Sequence, residues 1–185
     1  MLRNLLAGVA LSVLAGAAGA VGLEIDVQGE ANGTIKIELL PDAAPQHVER
    51  LTTLASEGQY DGVVFHRVID GFMAQTGDVQ YGRIGGDLRR AGTGRSSLPN
   101  LPAEFSDIPF ERGVVGMARA QDPNSANSQF FIMFAPGDFL NGQYTVVGRV
   151  TEGLEVLDAI KKGSSAANGA VEGAPDIMTT VRVTE

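Results

Sequence analysis

Two segments of the chain place polar side chains inside apolar, strand-like sequence. Residues 65–78 are FHRVIDGFMAQTGD, in which Arg67 and Gln75 interrupt apolar strands, and residues 116–132 are GMARAQDPNSANSQFFI. Arginine is seldom buried unless it is paired with a carboxylate or acts on a ligand. The pattern therefore predicts that Arg67 donates hydrogen bonds to a ligand in an apolar site, and a salt bridge at the rim of the protein is the alternative.

The residue types that several other chemistries need are missing. The chain has no cysteine and two histidines, which excludes a disulfide framework, a cysteine nucleophile and a site of several histidines on a metal. The glycine motifs of phosphate-binding loops, dinucleotide folds and nucleophile elbows are absent. A serine–histidine–aspartate triad stays open, because triads are spatial, and it would use His66 or His47.

The histidines and the loop carboxylates also have simpler interpretations. His66, in a strand-like run, is predicted to be a hydrogen-bonded structural histidine. His47, in the first turn of a helix, is predicted to be solvated. Asp87, Glu104 and Asp107 are predicted to be solvated loop carboxylates, since nothing in their spacing favours an acid–base pair.

The charge balance narrows the possible partners. The 185 residues include 14 basic and 22 acidic side chains, a formal charge of −8. A duplex-binding protein needs a net positive surface, so nucleic acid is not expected as a partner. An acidic protein also repels anionic membranes.

The first twenty residues resemble a secretory signal. Arg3 is their only charge, an apolar run extends over residues 5–14, and the segment 18–20 is Ala-Gly-Ala, which predicts a cut before Val21. Without Arg3 the mature chain would carry 13 basic and 22 acidic residues, a charge of −9. An uncleaved membrane anchor is the alternative, although the run is shorter than the ~20 apolar residues of a span.

Alternating and periodic apolar residues in the remaining chain, 21–185, predict one domain. A turn at Asn32-Gly33 would join the first two strands, and one helix would begin at Pro45 and stop at Gly58. A second helix would place Leu154, Leu157 and Ile160 on one face. About eight strands are predicted, over residues 23–27, 35–39, 63–69, 72–75, 114–118, 130–134, 144–150 and 177–183. Such a pattern indicates a closed or sandwiched β structure with helical plugs and a long, functional or mobile loop over residues 82–102.

The two segments quoted first resemble the cyclophilins, which are peptidyl-prolyl cis-trans isomerases. The similarity covers residues 23–183, and Tyr60-Asp61-Gly62 and residues 146–153, VVGRVTEG, also look like the family. The resemblance implies a mainly β fold, a closed eight-stranded antiparallel β-barrel with a helix capping each end. It also implies an isomerase of X-Pro bonds that assists protein folding, without cofactor or metal.

The resemblance assigns roles to thirteen residues. The catalytic arginine falls on Arg67, and the family histidine near the site falls on His66. The pocket for proline falls on Phe72, Met73, Phe131 and Leu140, with Phe139 at its rim. The substrate-binding glutamines fall on Gln75 and Gln129. The stretch that pairs with the peptide falls on Ala118, Arg119 and Ala120, and Tyr144 is also assigned to substrate binding.

Three positions depart from the common pattern. Arg119 stands where many members have asparagine, so a side-chain contact there is not implied. Phe139 and Tyr144 stand where eukaryotic members have tryptophan and histidine; these choices resemble bacterial members and imply weak cyclosporin binding. The loop 82–102 does not follow the family.

Together these features predict an exported, monomeric isomerase of the bacterial branch, acting in the periplasm on proline-containing unfolded or flexible polypeptides. After signal cleavage no stable membrane association is expected. The alternative is a binding module of the same fold, which would have no need of Arg67.

Overall fold

The computed structural model describes residues 21–185 as nine strands and two helices. The signal-peptide prediction for residues 1–20 lies outside the described residues. The elements are β1 (Gly22–Gln28), β2 (Asn32–Leu39), α1 (Pro45–Ser56), β3 (Val63–Val64), β4 (Arg67–Ile69), β5 (Met73–Thr76), β6 (Val114–Met117), β7 (Phe130–Met133), β8 (Val146–Glu152), α2 (Leu154–Ala159) and β9 (Ile177–Thr184). Within this part of the chain, no helix has the length and apolar character needed to cross a membrane.

All nine strands join one antiparallel sheet in the order β3-β9-β1-β2-β8-β6-β7-β5-β4. The sheet is an open, curled half-barrel, so the predicted closed barrel of eight strands is wrong. The single strand predicted over residues 63–69 is interrupted at Phe65 and His66. Its first half pairs with β9 and its second half pairs with β5, so the two halves form opposite ends of the sheet.

The interruption has a local cause in the hydrogen bonding of the two residues. The Phe65 N–H donates to the Asp176 carbonyl at 2.9 Å, and the His66 carbonyl accepts from the Val171 N–H at 3.1 Å. Because both partners lie in the loop before β9, these peptide groups are satisfied outside the strand ladder.

The turn between β1 and β2 also differs from the prediction. Gln28 pairs with Asn32, so the predicted turn residues Asn32 and Gly33 begin β2 and the turn is residues 29–31. A Cβ on Gly29 would lie 2.1 Å from Asp176 Oδ1, and its φ of 154° is open mainly to glycine. This close approach brings the Ala31 N–H within 2.8 Å of the buried Asp176 carboxylate.

Two apolar clusters lie on opposite faces of the sheet. The larger includes Phe65, Phe130 and Ile132 and the buried faces of both helices, as the alternation of the sequence predicts. The second includes Phe131 with Met73, so Phe131 points to the opposite face from Phe130 and Ile132, because side chains alternate along a strand. The second cluster forms the floor of the site described below.

The helices cover the curled sheet. Helix α1 begins at Pro45 as predicted, buries Val48, Leu51 and Leu54, and lies against β9. Helix α2 lies against β2, buries Val156 and Leu157, and ends at Ala159, so the predicted helical residue Ile160 lies just beyond it.

Candidate active site

One cavity collects most of the predicted site residues. It has a volume of about 250 Å³, and we call it the Arg67 cavity. Its ten lining residues were all predicted: Arg67, Phe72, Met73, Gln75, Ala118, Arg119, Phe131, Phe139, Leu140 and Tyr144. Ala120 and Gln129 line an adjoining cavity of about 560 Å³, and His66 lines a third, so these three residues lie apart from the ten.

Strand register brings the polar and apolar groups together. Arg67 on β4 is opposite Gln75 on β5, and Gln75 is opposite Phe131 on β7. Phe131 is in turn opposite Gly116 on β6, where a Cβ would come within 2.6 Å of both the Phe131 and Phe110 rings. The missing side chain lets these rings stack at 5.7 Å beneath the cavity.

Arg67 is held by neutral oxygens. Its Nε donates to the Asn168 carbonyl at 3.0 Å, one terminal nitrogen donates to Asn168 Oδ1 at 3.0 Å, and the other donates to Gln75 Oε1 at 3.1 Å. Burial lowers the pKa of the guanidinium from its usual value. None of these partners is a carboxylate, so the geometry favours a ligand-directed arginine over a rim salt bridge.

The two predicted glutamines continue this chain of hydrogen bonds. Gln75 Nε2 donates to Gln129 Oε1 at 2.9 Å. Gln129 Nε2 donates in turn to the carbonyls of Gly94 at 2.8 Å and Gly92 at 3.1 Å. Gln129 therefore orients Gln75 from the adjoining cavity, and Gln75 orients Arg67.

The opposite wall of the Arg67 cavity is aromatic. Phe131 and Tyr144 meet edge to face at 5.9 Å, and the rings of Phe72 and Phe139 lie 5.4 Å apart. Phe131 and Leu140 are buried, whereas Phe139 is 67% exposed at the rim. The arrangement can enclose a small apolar ring beside a guanidinium and exclude water from the contact.

The long loop over residues 82–102 is anchored by Asp78, a residue for which neither the motifs nor the family resemblance predicts a role. Its fully buried carboxylate accepts the N–H groups of Gln80, Tyr81, Gly92 and Gly94 at 2.7–3.1 Å. The sequence feature that could have indicated this anchor is an aspartate two residues after β5, followed by the closely spaced glycines Gly92 and Gly94. Asn168 was also missed, although Asn168-Gly169 is a recognisable turn dipeptide.

The prediction that His66 is hydrogen-bonded is wrong. It lines a cavity of about 310 Å³ with Leu88, Val171 and Pro175. Within residues 21–185 neither ring nitrogen has a hydrogen-bond partner. Burial lowers the pKa of His66 to about 4. Because no serine among residues 21–185 is hydrogen-bonded to this ring, the structure gives no support to the triad hypothesis for His66.

His47 and Glu104 are not solvated, contrary to prediction. The His47 ring is fully buried, and its Nδ1 lies 2.6 Å from Glu104 Oε2. In the described part of the chain its Nε2 has no partner, so His47 has no serine to activate either. Glu104 also accepts the N–H groups of Gln46 and His47, both at 3.2 Å. The His47–Glu104 pair therefore lies at the start of α1, where Glu104 accepts hydrogen bonds from the first N–H groups of the helix.

Metal ligands do not gather anywhere in residues 21–185: no three His, Cys, Asp or Glu side chains lie close enough to hold an ion. What the Arg67 cavity offers is hydrogen bonding and apolar enclosure.

Comparison with known proteins identifies this kind of site. The family model described as "Cyclophilin type peptidyl-prolyl cis-trans isomerase/CLD" matches residues 23–183. The chain belongs to this family, and it is a peptidyl-prolyl cis-trans isomerase.

Individual relatives agree with this assignment. A Brucella suis protein named "Probable peptidyl-prolyl cis-trans isomerase" is 61% identical over 149 residues, which cover 80% of this chain and 76% of that protein. A peptidyl-prolyl cis-trans isomerase of Arabidopsis thaliana is 38% identical over 136 residues, 70% of this chain and 78% of the relative.

Solved structures share the fold. A cyclophilin from Hirschia baltica is 27% identical with a TM-score of 0.69, covering 86% of this chain and 72% of its own. A cyclophilin type isomerase from Cryptosporidium parvum, solved in the presence of the dipeptide Ala-Pro, is 26% identical with a TM-score of 0.72, covering 89% of this chain and 99% of its own.

Proposed function

We propose that Arg67 is the catalytic residue and that the Arg67 cavity holds the proline ring of the substrate. The observation that carries the proposal is the guanidinium itself. It lies on the wall of an apolar cavity, and its own contacts are neutral oxygens that orient it and leave its charge in place. A charge so placed is available to a reacting group.

The reaction needs no bond to be broken. Amide resonance keeps the X-Pro bond planar, with a barrier of ~20 kcal/mol and relaxation over tens of seconds. In the twisted form the proline nitrogen has lost conjugation and accepts a hydrogen bond better. Arg67 donates to that nitrogen, which stabilises the twisted amide more than either planar isomer, and this difference is what lowers a barrier.

The rest of the cavity makes that contact effective. Met73, Phe131 and Leu140 are buried and enclose the ring, and Gln75 holds a peptide carbonyl while the other side of the bond rotates. In a dry site one charged hydrogen bond is worth more than in water. Since each 1.36 kcal/mol gives a factor of ten, a ~10⁵-fold acceleration needs about 7 kcal/mol.

Proline-containing polypeptides are the proposed substrates. The Cryptosporidium parvum relative was solved in the presence of Ala-Pro, which supports a proline-directed site in this chain as well. The Arg67 cavity opens at a rim where Phe139 is exposed, so an unfolded or flexible segment can reach it.

The test compares Arg67→Ala and Arg67→Lys with the unaltered residues 21–185 on an X-Pro tetrapeptide. We expect kcat/KM to fall by about 10²- to 10³-fold for alanine, because a charged transition-state contact is removed. Lysine recovers only part of it, because it lacks the planar fork. Arg149→Ala is the matched control, since that arginine is exposed and pairs with Glu38 far from the cavity.

Two results would contradict the assignment. If Arg67→Ala kept wild-type kcat/KM with an intact circular dichroism spectrum, another group would be catalytic. If Arg67→Ala lost the catalysis but kept full function in the cell, binding and not turnover would be the biological role.

We further propose that the protein is exported and that it is a monomer. Arg3, the apolar run over residues 5–14 and the Ala-Gly-Ala segment before Val21 support export. Expression of the full chain in a bacterium with a periplasm should yield a periplasmic product beginning at Val21, and Ala20→Arg should block the cut. A full-length product in the membrane fraction would favour the anchor instead.

A further inference from the structure

The cavity that adjoins the Arg67 cavity has an unusual charge. It shares Gln75, Ala118 and Arg119 with the Arg67 cavity, so one ligand can extend through both. Three arginines line it: Arg119, two residues after β6, and Arg90 and Arg95, from the long loop. None of its sixteen lining residues is an aspartate or a glutamate. We call it the arginine cavity.

These three arginines have no carboxylate partner among residues 21–185. Arg90 stacks at 3.7 Å on the Tyr81 ring and also donates to its hydroxyl, and Arg119 stacks at 4.3 Å on the Tyr144 ring. Arg89, Arg112 and Arg149, by contrast, each pair with a carboxylate at 2.7–2.9 Å, on Asp87, Asp158 and Glu38 respectively. Arg50, Arg67 and Arg83 also lack a carboxylate partner within residues 21–185, but none of them lines this cavity. Three arginines without a carboxylate partner thus line one cavity of an otherwise acidic protein.

The loop that carries Arg90 and Arg95 is fixed at its base. Asp78 Oδ2 accepts the N–H groups of Gly92 and Gly94 at 2.7 and 2.8 Å. A Cβ on Gly94 would lie 2.3 Å from the same carboxylate, so the loop backbone sits directly on it. Asp78 is fully buried and accepts hydrogen bonds from four N–H groups, so it anchors the loop and does not neutralise the three arginines.

We infer that the arginine cavity binds an acidic side chain of the substrate, and that this isomerase prefers proline segments with Asp or Glu two residues from the proline. The inference rests on the proposed placing of proline in the Arg67 cavity. In an extended peptide, side chains two residues apart point to the same face. The residue two positions from a seated proline therefore faces the adjoining cavity.

Guanidinium groups suit a carboxylate in this position. Arg90 and Arg95 present planar, forked donors, whereas the nitrogens of Arg119 donate to the backbone carbonyls of Ala120 and Gln143, so Arg119 contributes its positive charge. Stacking on the Tyr81 and Tyr144 rings limits how far Arg90 and Arg119 can move. The chain as a whole carries a charge of −8 and repels acidic polypeptides at long range. A local positive cavity offsets that repulsion and gives selectivity at the site itself.

The experiment measures isomerisation of proline peptides by NMR exchange spectroscopy, which requires no coupled protease. Two sets of peptides carry Glu, Gln or Lys, one set two residues before proline and the other two residues after. In one of the two sets we expect kcat/KM to be about fivefold higher for Glu than for Gln, since exposed pairs are individually weak. The preference should shrink between 50 and 500 mM NaCl, because salt screens exposed charges.

Charge reversal identifies the residues. The double variant Arg90→Glu with Arg95→Glu should invert the preference, so that the Lys peptide exceeds the Gln peptide. Arg89→Glu is the matched control, because Arg89 is next to Arg90 in the chain but pairs with Asp87 and lines the separate cavity that His66 lines. It should leave the Glu-to-Gln ratio unchanged.

Equal rates for the Glu and Gln peptides in both sets would overturn the inference, as would a preference that survives the double variant. Such a result would leave the proposed function standing, because the Gln peptides would still be isomerised through Arg67. Failure of the proposed function is a different result, in which Arg67→Ala isomerises the Gln peptides as fast as the unaltered protein, and it would remove the basis of the inference too.

Discussion

At the scale of single residues, the Arg67 side chain depends on a partner far along the chain. Asn168 lies 101 positions away and accepts two hydrogen bonds from the Arg67 guanidinium, one at its backbone carbonyl and one at Oδ1. Its φ of 53° is in the left-handed region, and no other non-glycine residue among 21–185 adopts a positive φ. Asparagine is one of the few side chains that tolerate this conformation. Asn168 is therefore a positioning residue for Arg67.

Replacing Asn168 by glycine separates these two features. Glycine adopts the left-handed conformation freely, so Asn168→Gly should not lower the melting temperature, yet it removes the Oδ1 acceptor. We expect kcat to fall by about three- to tenfold with little change in KM, because the guanidinium loses orientation and the proline pocket is untouched. Steady-state kinetics and thermal denaturation measure the two effects.

Asn168→Asp keeps an acceptor but adds a negative charge beside Arg67. We expect it to lower kcat further than glycine does, because the guanidinium is then partly neutralised. Wild-type kcat in Asn168→Gly would show that the side chain serves only the loop.

The buried ring of His66 gives a second prediction, on pH. Its pKa is about 4 in the folded protein, because burial disfavours the charged ring, against a usual value of 6.5. Between these values the unfolded chain binds a proton and the folded protein does not, so the free energy of unfolding falls as the pH is lowered from 6.5 toward 4. Urea denaturation at pH 7 and at pH 4.5 should show a loss of about 2 kcal/mol.

The variant His66→Asn isolates this contribution from that of the carboxylates. It should be less stable at pH 7 but should lose less stability on acidification over the same interval. An equal pH dependence in both proteins would mean that His66 takes up its proton in the folded state as readily as in the unfolded chain.

Seven of the ten residues that line the Arg67 cavity could be predicted from sequence because they lie in two compact motifs, residues 65–78 and 116–132. The other three, Phe139, Leu140 and Tyr144, were predicted from the family resemblance. Glu104, the partner of His47, and Asn168, a partner of Arg67, could not be predicted, because they are distant in the chain and lie in no recognisable motif. Burial of His47 likewise depends on which segment crosses the start of its helix, and local sequence does not record that.

At the scale of elements, Glu104 acts as the cap of α1 from another segment. The N-cap residue, Ala44, has no side chain that can accept a hydrogen bond. Pro45 has no N–H, and the next two N–H groups, of Gln46 and His47, donate to the two oxygens of Glu104. A carboxylate also interacts favourably with the positive end of the helix dipole.

Replacement of this carboxylate should destabilise the protein in a pH-dependent way. Burial raises the pKa of Glu104, but hydrogen bonds from the His47 side chain and from the N–H groups of α1 outweigh it, so the pKa lies below its usual 4.5. The carboxylate therefore stabilises the fold fully above about pH 5, and this contribution is lost as the pH falls through the depressed pKa. We expect Glu104→Gln to cost about 1–3 kcal/mol at pH 7 and much less near pH 3.

Denaturant titrations at the two pH values test this, with Glu111→Gln as the control because Glu111 is exposed. A constant difference between wild type and Glu104→Gln at pH 7 and pH 3 would contradict a role for the ionised carboxylate.

The helices and strands were easier to predict from sequence than the way the strands join into an open sheet. The helix starting at Pro45 and most strands follow from local periodicity. The interruption of residues 63–69 does not, since it is fixed by bonds from Phe65 and His66 to Asp176 and Val171, more than a hundred residues away. The early turn at residues 29–31 is likewise set by the distant carboxylate of Asp176.

At the scale of the whole molecule, the first and last strands of the described chain are paired. Strand β9 lies between β1 and β3, and its register with β1 runs from Gly22 opposite Thr184 to Gln28 opposite Ile177. Met178 and Val181 on this strand are buried in the larger core. Such pairing joins strands at the two ends of residues 21–185, so the entropy cost of closing this long loop is met only when most of these residues are present.

We therefore expect removal of residues 177–185 to abolish folding, although none of these residues lines the Arg67 cavity. Without β9, the edges of β1 and β3 lose their partners, α1 loses the surface it packs on, and Met178 leaves a void in the core. The truncated protein should lack dispersed amide signals in NMR and isomerase activity, whereas removal of Glu185 alone should change neither, because Glu185 is exposed and outside the strand. An active truncated protein would mean that β5, β6 and β7 maintain the Arg67 cavity without the other half of the sheet. The pairing of the ends would then serve stability and not the assembly of the site.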